Sequence, residues 1–350
     1  MFHIDGENDF WPGLGLRRIA FRHLGADPFS GALEARSAFG RAVIVDPRRW
    51  EVVLWPFFDL INASKGNDPR LGCCPEPAVN LGATVRDLMD GARRESAAGG
   101  PYEPAVRRCV LACNTVHANF VRPNGFVVCN HVLVAKPAGY DALGLDCDAF
   151  MPLHGSYTAL LLDDHGARVE SVRLDAGCVV PPLPAWAVSG PALVRNGADV
   201  SRQLPFRPRP GTSLPADFAA RHPGLRLPPG PTRGDEVNFP PPLTKTSFTA
   251  FGVDPQGRLI CVSLFEGQRG EDGGGNLGVS VHELAALLGE LGAVDAILGG
   301  GGADAQQFLR GDRPQHLTAP LRARPPGQGA RAEVEGPRGL GAILGVLARP

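Results

Sequence analysis

The sequence predicts a mixed α/β domain, on three observations. Residues 244–254 and 258–265 are two β-rich apolar runs joined by the turn Pro255-Gln-Gly257, the pattern of a hairpin. Ser280-Val-His-Glu283 has the S-x-x-E form of a capping box, and Leu284, Leu287, Leu288 and Leu291 follow it at helical spacing, with Gly292 as a left-handed stop. Residues 293–298 then read as a short buried strand that exits into the four glycines 299–302.

The remaining elements follow in chain order. Residues 16–55 alternate apolar and polar positions around Gly and Pro turns, which predicts strands at 41–45 and 51–55. Residues 56–82 are loop-like, 83–96 a helix, and a strand ends at Asn114; a further strand covers 125–135. Residues 156–163 and 167–174 form a hairpin around Asp164-His-Gly166. The segment 205–242 holds 11 of the 34 prolines, so it reads as one long irregular connection, either a lid over a site or a surface wrap. Residues 323–337 are another loose loop. We divide the chain at 79/80: 1–79 is a strand-rich part of the same domain or a small extension, and 80–350 is the main domain.

Composition sets the outer limits. At 350 residues the chain buries a sizeable core, and its net charge of −1 with no basic block argues against nucleic acid and anionic membranes as partners. No apolar run reaches spanning length, and the first nine residues lack a basic n-region and an apolar h-region, which predicts a cytoplasmic protein. The eight cysteines include no C-x-x-C pair, and Cys109, Cys113, Cys129 and Cys261 sit in apolar runs as small hydrophobes. Three lysines stand against 32 arginines, a bias that points to a GC-rich bacterial genome. No cofactor and no metal are predicted; His117 and His131 match no zinc spacing.

The glycine run is the first candidate site. Without side chains, Gly300, Gly301 and Gly302 let backbone N–H groups approach one oxyanion closely. The bland alternative is a tight or flexible turn. Asp304, Gln306 and Gln307 follow at once and supply polar groups.

Several stretches, taken in order, resemble the phosphodiester glycosidase family, the relatives of the mannose 6-phosphate uncovering enzyme. Phe248-Thr-Ala-Phe-Gly-Val-Asp254 is similar to R-T-A-I-G-x-D, and Glu266-Gly-Gln-Arg-Gly270 to a D-G-R-x-P-G-like loop. Residues 281–293 are similar to L-x-x-L-A-x-x-L-x-x-L-G-A, and 298–305 to N-L-D-G-G-G-S-S-T. Upstream, Gly190-Pro-Ala-Leu-Val-Arg-Asn-Gly197 resembles G-P-x-L-V-x-x-G, and the segment from Val110 through Asn114 and Asn119 to Gly125 resembles A-x-N-G-G-F-F-x-x-x-G. The closing stretch 337–347 sits where the family reads R-P-V-A-N-A-L-L-V. The resemblance covers about 80–347 and is strongest over 245–305; it implies a large twisted, mostly antiparallel sheet with flanking helices.

The departures bear on chemistry. Phe248 replaces the arginine before T-A, a glycine (299 or 300) replaces the aspartate before the triple glycine, and Thr115-Val-His-Ala118 replaces the two glycines after the asparagine. Glycoside cleavage generally needs a carboxylate to stabilise an oxocarbenium-like centre, and a phosphate leaving group benefits from an electrophilic clamp. Replacement candidates are Asp304 as carboxylate or as a turn cap, and His117, with Asn114, as proton carrier or as a histidine satisfied by backbone carbonyls. For binding they are Arg269, Lys245, Thr249 and Asn119, with the glycines 300–302; Arg269 and Lys245 also read as solvated surface cations.

The expected function is hydrolysis or lysis at a sugar-phosphate or comparable glycosidic centre of a small molecule. Its rivals are a fold recruited to cyclisation or elimination in bacterial specialised metabolism, and an inactive small-molecule-binding protein. Substrate identity and oligomeric state are not encoded legibly.

Overall fold

The computed structural model describes residues 1–26, 33–56, 108–115, 118–119, 122–123, 126–129, 131–135, 155–163, 166–175, 178–179, 184–204, 216–221, 245–266, 278–301, 305–310 and 342–350. Among these residues the sheets are antiparallel, as the resemblance implies, but they dominate the architecture more than the predicted mixed α/β domain with flanking helices would. Every strand pairing is antiparallel, and the helix Val281–Glu290 is accompanied by a single helical turn at Phe218–Arg221 and a short 3₁₀ turn at Ser201–Gln203. The physical reason lies in the connections. Tight Gly, Asn and Asp turns return the chain directly into antiparallel pairing, whereas parallel strands need a crossover, usually helical. The helix expected at 83–96 and the loops at 56–82 and 323–337 fall outside the described residues, apart from Pro56 at a strand end.

The largest sheet has eight strands. In spatial order they are Phe2–Trp11, Leu14–Ala26, Leu33–Val45, Leu259–Glu266, Phe248–Val253, Asp295–Gly301, Ala192–Arg195 and Ala198–Asp199. The N-terminal strands are thus built into the same sheet as the C-terminal hairpin, in register from Val45 opposite Leu259 to Ala38 opposite Glu266. A six-stranded sheet runs Cys178–Val179, Gly166–Asp175, Gly155–Asp163, Trp186–Ser189, Val127–Cys129 and Val132–Ala135. A four-stranded sheet runs Gln307–Leu309, Cys109–Asn114, Ala342–Ala348 and Trp50–Pro56.

Alternation along the strands separates two cores. Val43, Val45, Phe251, Val253, Leu259 and Cys261 face one way and pack with Leu54, Leu111, Leu160, Val188 and Leu344 of the other two sheets. Ala42, Phe248, Ala250, Ile260, Val262 and Leu264 face the other way and pack beneath the helix on Leu284, Leu287 and Leu288. The helix begins as its sequence requires: Ser280 accepts from the Glu283 N–H, and the Glu283 carboxylate accepts from the Ser280 N–H. It ends before Gly292, whose φ of +89° only glycine adopts easily.

Two hairpins match the sequence reading closely. Residues 248–266 turn at Asp254, whose carboxylate accepts from the N–H groups of Gln256 and Arg258. Gly155–Asp163 pairs with Gly166–Asp175 along its whole length. The stretch 125–135 differs from the single strand predicted. It is itself a hairpin, Val127–Cys129 with Val132–Ala135, and His131 takes a positive φ of 62° at its turn. Between Phe126 and Ala135 no glycine marks the turn and Asn130 is its only sequence signal, while the structure makes His131 an exposed turn residue.

Candidate functional site

Three strands carry a row of polar side chains across the inner face of the large sheet. Thr249 stands opposite Ser263, and Ser263 opposite Arg41. Their side chains share the face of Phe251, Cys261 and Val43, one step beyond the apolar core. Apolar neighbours alone would strand these groups, so they bond one another: the Thr249 and Ser263 hydroxyls are 3.2 Å apart.

Asn114 meets this row at the end of Cys109–Asn114. Its Oδ1 accepts from the Thr249 hydroxyl at 2.6 Å and from the Gln306 N–H at 3.1 Å. The second bond fixes the amide orientation, because a backbone N–H can be received only by the oxygen. Asn114 Nδ2 is consequently aimed away from both, and among the described residues it has no hydrogen-bond partner although Asn114 is 1% exposed. Leaving such a donor unmade costs about 1–3 kcal/mol, and native folds rarely retain one without cause.

Gln307 anchors the other side. Its Oε1 accepts from Arg41 Nε at 2.7 Å, its carbonyl from an Arg41 terminal nitrogen at 3.3 Å, and its Nε2 donates to the Cys261 carbonyl. Arg41 thereby brings a cation into the row from a strand more than 200 residues away in sequence, its separation from Gln307 being 266 residues.

The glycines adjoin this row, in a strand rather than in the exit turn predicted. Asp295–Gly301 is one continuous strand, with a bulge where Gly299 and Gly300 together stand opposite Thr249. A side chain at 299 would come within 2.9 Å of the Thr249 carbonyl and 3.1 Å of the Thr115 carbonyl, so glycine is required for the strands to approach. A side chain at 301 would meet the Phe248 ring at 3.1 Å. Phe248, at the position where the family resemblance leads one to expect arginine, is fully buried in the helix-side core.

The structure therefore brings together four predicted residues: Asn114, Thr249, Gly300 and Gly301. His117, Arg269, Gly302 and Asp304 lie outside the described residues. Asn119 is placed in a two-residue strand, Ala118–Asn119, paired with Arg122–Pro123. Lys245 is neither solvated nor in this row. It is 9% exposed and ion-paired with Glu34, within a cluster in which Arg36 binds Glu34 and forks onto both oxygens of Glu283. Ser263 and Arg41 were missed. The signal for Ser263 was available, a lone hydroxyl in the apolar run 259–265 on the same parity as the turn-paired Thr249.

Burial governs the thiols nearby. Desolvation pushes Cys109 up to about 12 and Cys113 well above the ordinary thiol range, with the Cys261 sulfur beside Cys113 adding to the rise. Both, like Cys261, are buried and free. Among the described residues no group of three or more His, Cys, Asp or Glu is arranged to hold a metal, and no helix is long and apolar enough to cross a membrane.

No protein-family model matches the chain, and no curated protein matches it in sequence. Solved structures do. The catalytic domain of zebrafish N-acetylglucosamine-1-phosphodiester α-N-acetylglucosaminidase, auto-inhibited by its pro-peptide, is similar over 100% of this chain and 88% of that one, with a TM-score of 0.50 and 17% identity. A hypothetical protein from Synechocystis aligns over 96% of this chain and 62% of its own, at TM-score 0.37 and 16% identity. The first of these likenesses establishes a shared fold; at such identity it says nothing further of this chain.

Proposed function

We propose that the chain is a divergent phosphodiester glycosidase-like enzyme acting on a sugar-phosphate or comparable glycosidic small molecule, with its site at the Asn114–Thr249–glycine corner. The observation that carries this reading is the buried, unpartnered Nδ2 of Asn114. A donor held rigidly by Thr249 and Gln306 and left without a protein partner is pre-organised for a ligand oxygen. The bulge at Gly299 and Gly300 adjoins it, and bulges recur beside active sites because they break the regular ladder. The class of chemistry is the one that the sequence motifs resemble, and the fold shared with the zebrafish glycosidase domain is compatible with it.

Within this reading Asn114 and the backbone of Gly300–Gly302 hold a phosphate or sugar oxygen, and Arg41 adds positive field to the row. His117 or Asp304 transfers the proton or stabilises developing positive charge, while Arg269 and Asn119 contact the substrate. Arg41 replaces the missing family arginine in charge but not in position. Lys245, committed to Glu34, is left with a structural part.

One observation favours a second reading. Phe248 fills the place of a phosphate-steadying arginine with a buried ring packed on Gly301. A site so altered fits a recruited reaction or a binding role. Purified protein offered sugar-1-phosphodiesters and nucleotide sugars should release free sugar, and His117→Ala or Asp304→Ala should abolish release while the protein stays folded. Ligand-dependent melting without any turnover would move the conclusion to the second reading.

A further inference from the structure

The opposite end of the large sheet, on its other face, holds a cleft that the proposed chemistry does not use. Three tight turns converge there: the one at Pro12–Gly13, the one after Val45, and the one between Val253 and Leu259. The Asp46 N–H donates to the Gly13 carbonyl at 2.9 Å and ties the first two turns together. The cleft encloses about 470 Å³ and is lined by Gly13, Gly15, Ile44, Asp46 and Gln256 together with four arginines, Arg17, Arg48, Arg49 and Arg258. Gly15 pairs with Ile44, which pairs with Ile260 of the helix-side core, so the cleft opens on that face. Thr249 and Val253 are four residues apart, so the two regions are separated by about 13 Å along the strands, besides lying on opposite faces.

Two carboxylates aim the arginines without consuming them. Asp46 receives the Arg48 N–H, and its two oxygens take Arg48 Nε and one terminal nitrogen at 2.9 and 3.2 Å. Arg258 gives only its Nε to Asp254, at 2.6 Å, which leaves both terminal nitrogens uncommitted. Arg49 lies 3.8 Å from Asp46, beyond hydrogen-bond reach, and is 62% exposed. Arg48, Arg49 and Arg258 stand against the two carboxylates Asp46 and Asp254, while Arg17 donates to the Gly6 and Leu16 carbonyls, so the balance at the cleft is positive in a chain whose net charge is −1.

We propose that this cleft is a binding site for a small ligand carrying two or more adjacent phosphate groups. Guanidinium groups from two of the turns (Arg48, Arg49 and Arg258) and from the adjoining strand (Arg17) present several donors to one concave volume, the geometry that multiple phosphate oxygens require. The volume falls within the roughly 300–1,000 Å³ of small-molecule sites.

The test is thermal unfolding in phosphate-free buffer with inorganic tripolyphosphate as probe, at low and moderate salt. The wild-type protein should show a saturable rise in Tm that weakens with salt. The double variant Arg49→Gln, Arg258→Gln should bind at least about tenfold more weakly, since it removes two charged donors. Its unliganded Tm should fall only in part, because the buried Asp254 loses the Arg258 guanidinium but keeps its bonds to the Gln256 and Arg258 main chain, so binding is read as each protein's shift from its own unliganded Tm. Asn114→Asp should bind tripolyphosphate as wild type does, which separates this cleft from the proposed catalytic corner. No saturable shift, an undiminished shift in the double variant, or a response to heparin but none to tripolyphosphate would each overturn the proposal.

Discussion

Two buried polar clusters flank the same end of the large sheet, one on each face, and they are wired differently. On the helix side Arg36, 6% exposed, meets Glu34 and both oxygens of Glu283, donates to the Gly278 carbonyl and lies over the Phe21 ring; Lys245 closes the set on Glu34. Opposite charges answer one another there, and the cluster clamps the start of the helix to the N-terminal strands. On the inner face Asn114, Thr249 and Ser263 are neutral, and their network ends in a donor with nothing to donate to. Arg36 Nε also lacks a hydrogen bond, but it lies 2.7 Å from the Glu34 carboxylate, so its charge is answered, whereas Asn114 Nδ2 meets no partner among the described residues.

That contrast can be broken most severely from the charged side. Arg36→Met leaves the half-buried Glu283 without its cation and Glu34 with Lys245 alone, and we expect a loss of roughly 3 kcal/mol in denaturant unfolding. Asn114→Ala on the other face should cost less, about 1–3 kcal/mol, because it strands the Thr249 hydroxyl and the Gln306 N–H but no charge. Ser280→Ala removes half of the capping box that holds Glu283 in place and should cost about 1 kcal/mol.

Acid should sharpen the comparison, since only the charged cluster titrates. Burial lifts the Glu283 carboxyl, but the Arg36 guanidinium and the Ser280 N–H more than reverse this and hold it below the usual range. Burial, and then the Arg36 charge, likewise hold His23 below its ordinary value. Both depressed groups contribute stability that is complete above their unfolded values. It should decline as pH falls below about 6.5 through His23, and further below about 4.3 through Glu283. Unfolding followed against pH should show this acid loss blunted in Arg36→Met. The smallest effect concerns the inner face: with thiols pushed this high, Cys109 and Cys113 should resist alkylation at neutral pH until the protein unfolds.

What the sequence made legible was local. The capping box and its leucine spacing gave the helix at 281–290, and the turns at 255–257 and 164–166 gave two hairpins almost to the residue. The motif resemblance brought Asn114, Thr249 and the glycines into one place before any coordinates did, because those positions follow one another along known strands. The partners that decide character were illegible for want of any local mark. Lys245 reads as a strand-end cation until Glu34, 211 residues away, is seen beside it. Arg41 belongs to the inner row only through registry across two strand pairs and its reach to Gln307. Gly299 reads as a turn because four glycines suggest one, yet its need is a close contact between strands.

The central claim is that Asn114 Nδ2 is kept for a ligand. Asn114→Asp tests it most directly, since the substitution preserves an acceptor for Thr249 and Gln306 and replaces the donor by an oxygen. The decisive measurement is free-sugar release from a sugar-1-phosphodiester by the wild-type and Asn114→Asp proteins, each shown to be folded. The account predicts release by the wild type and a loss of at least about tenfold in the variant, with the outer cluster untouched. Undiminished release by Asn114→Asp would contradict it.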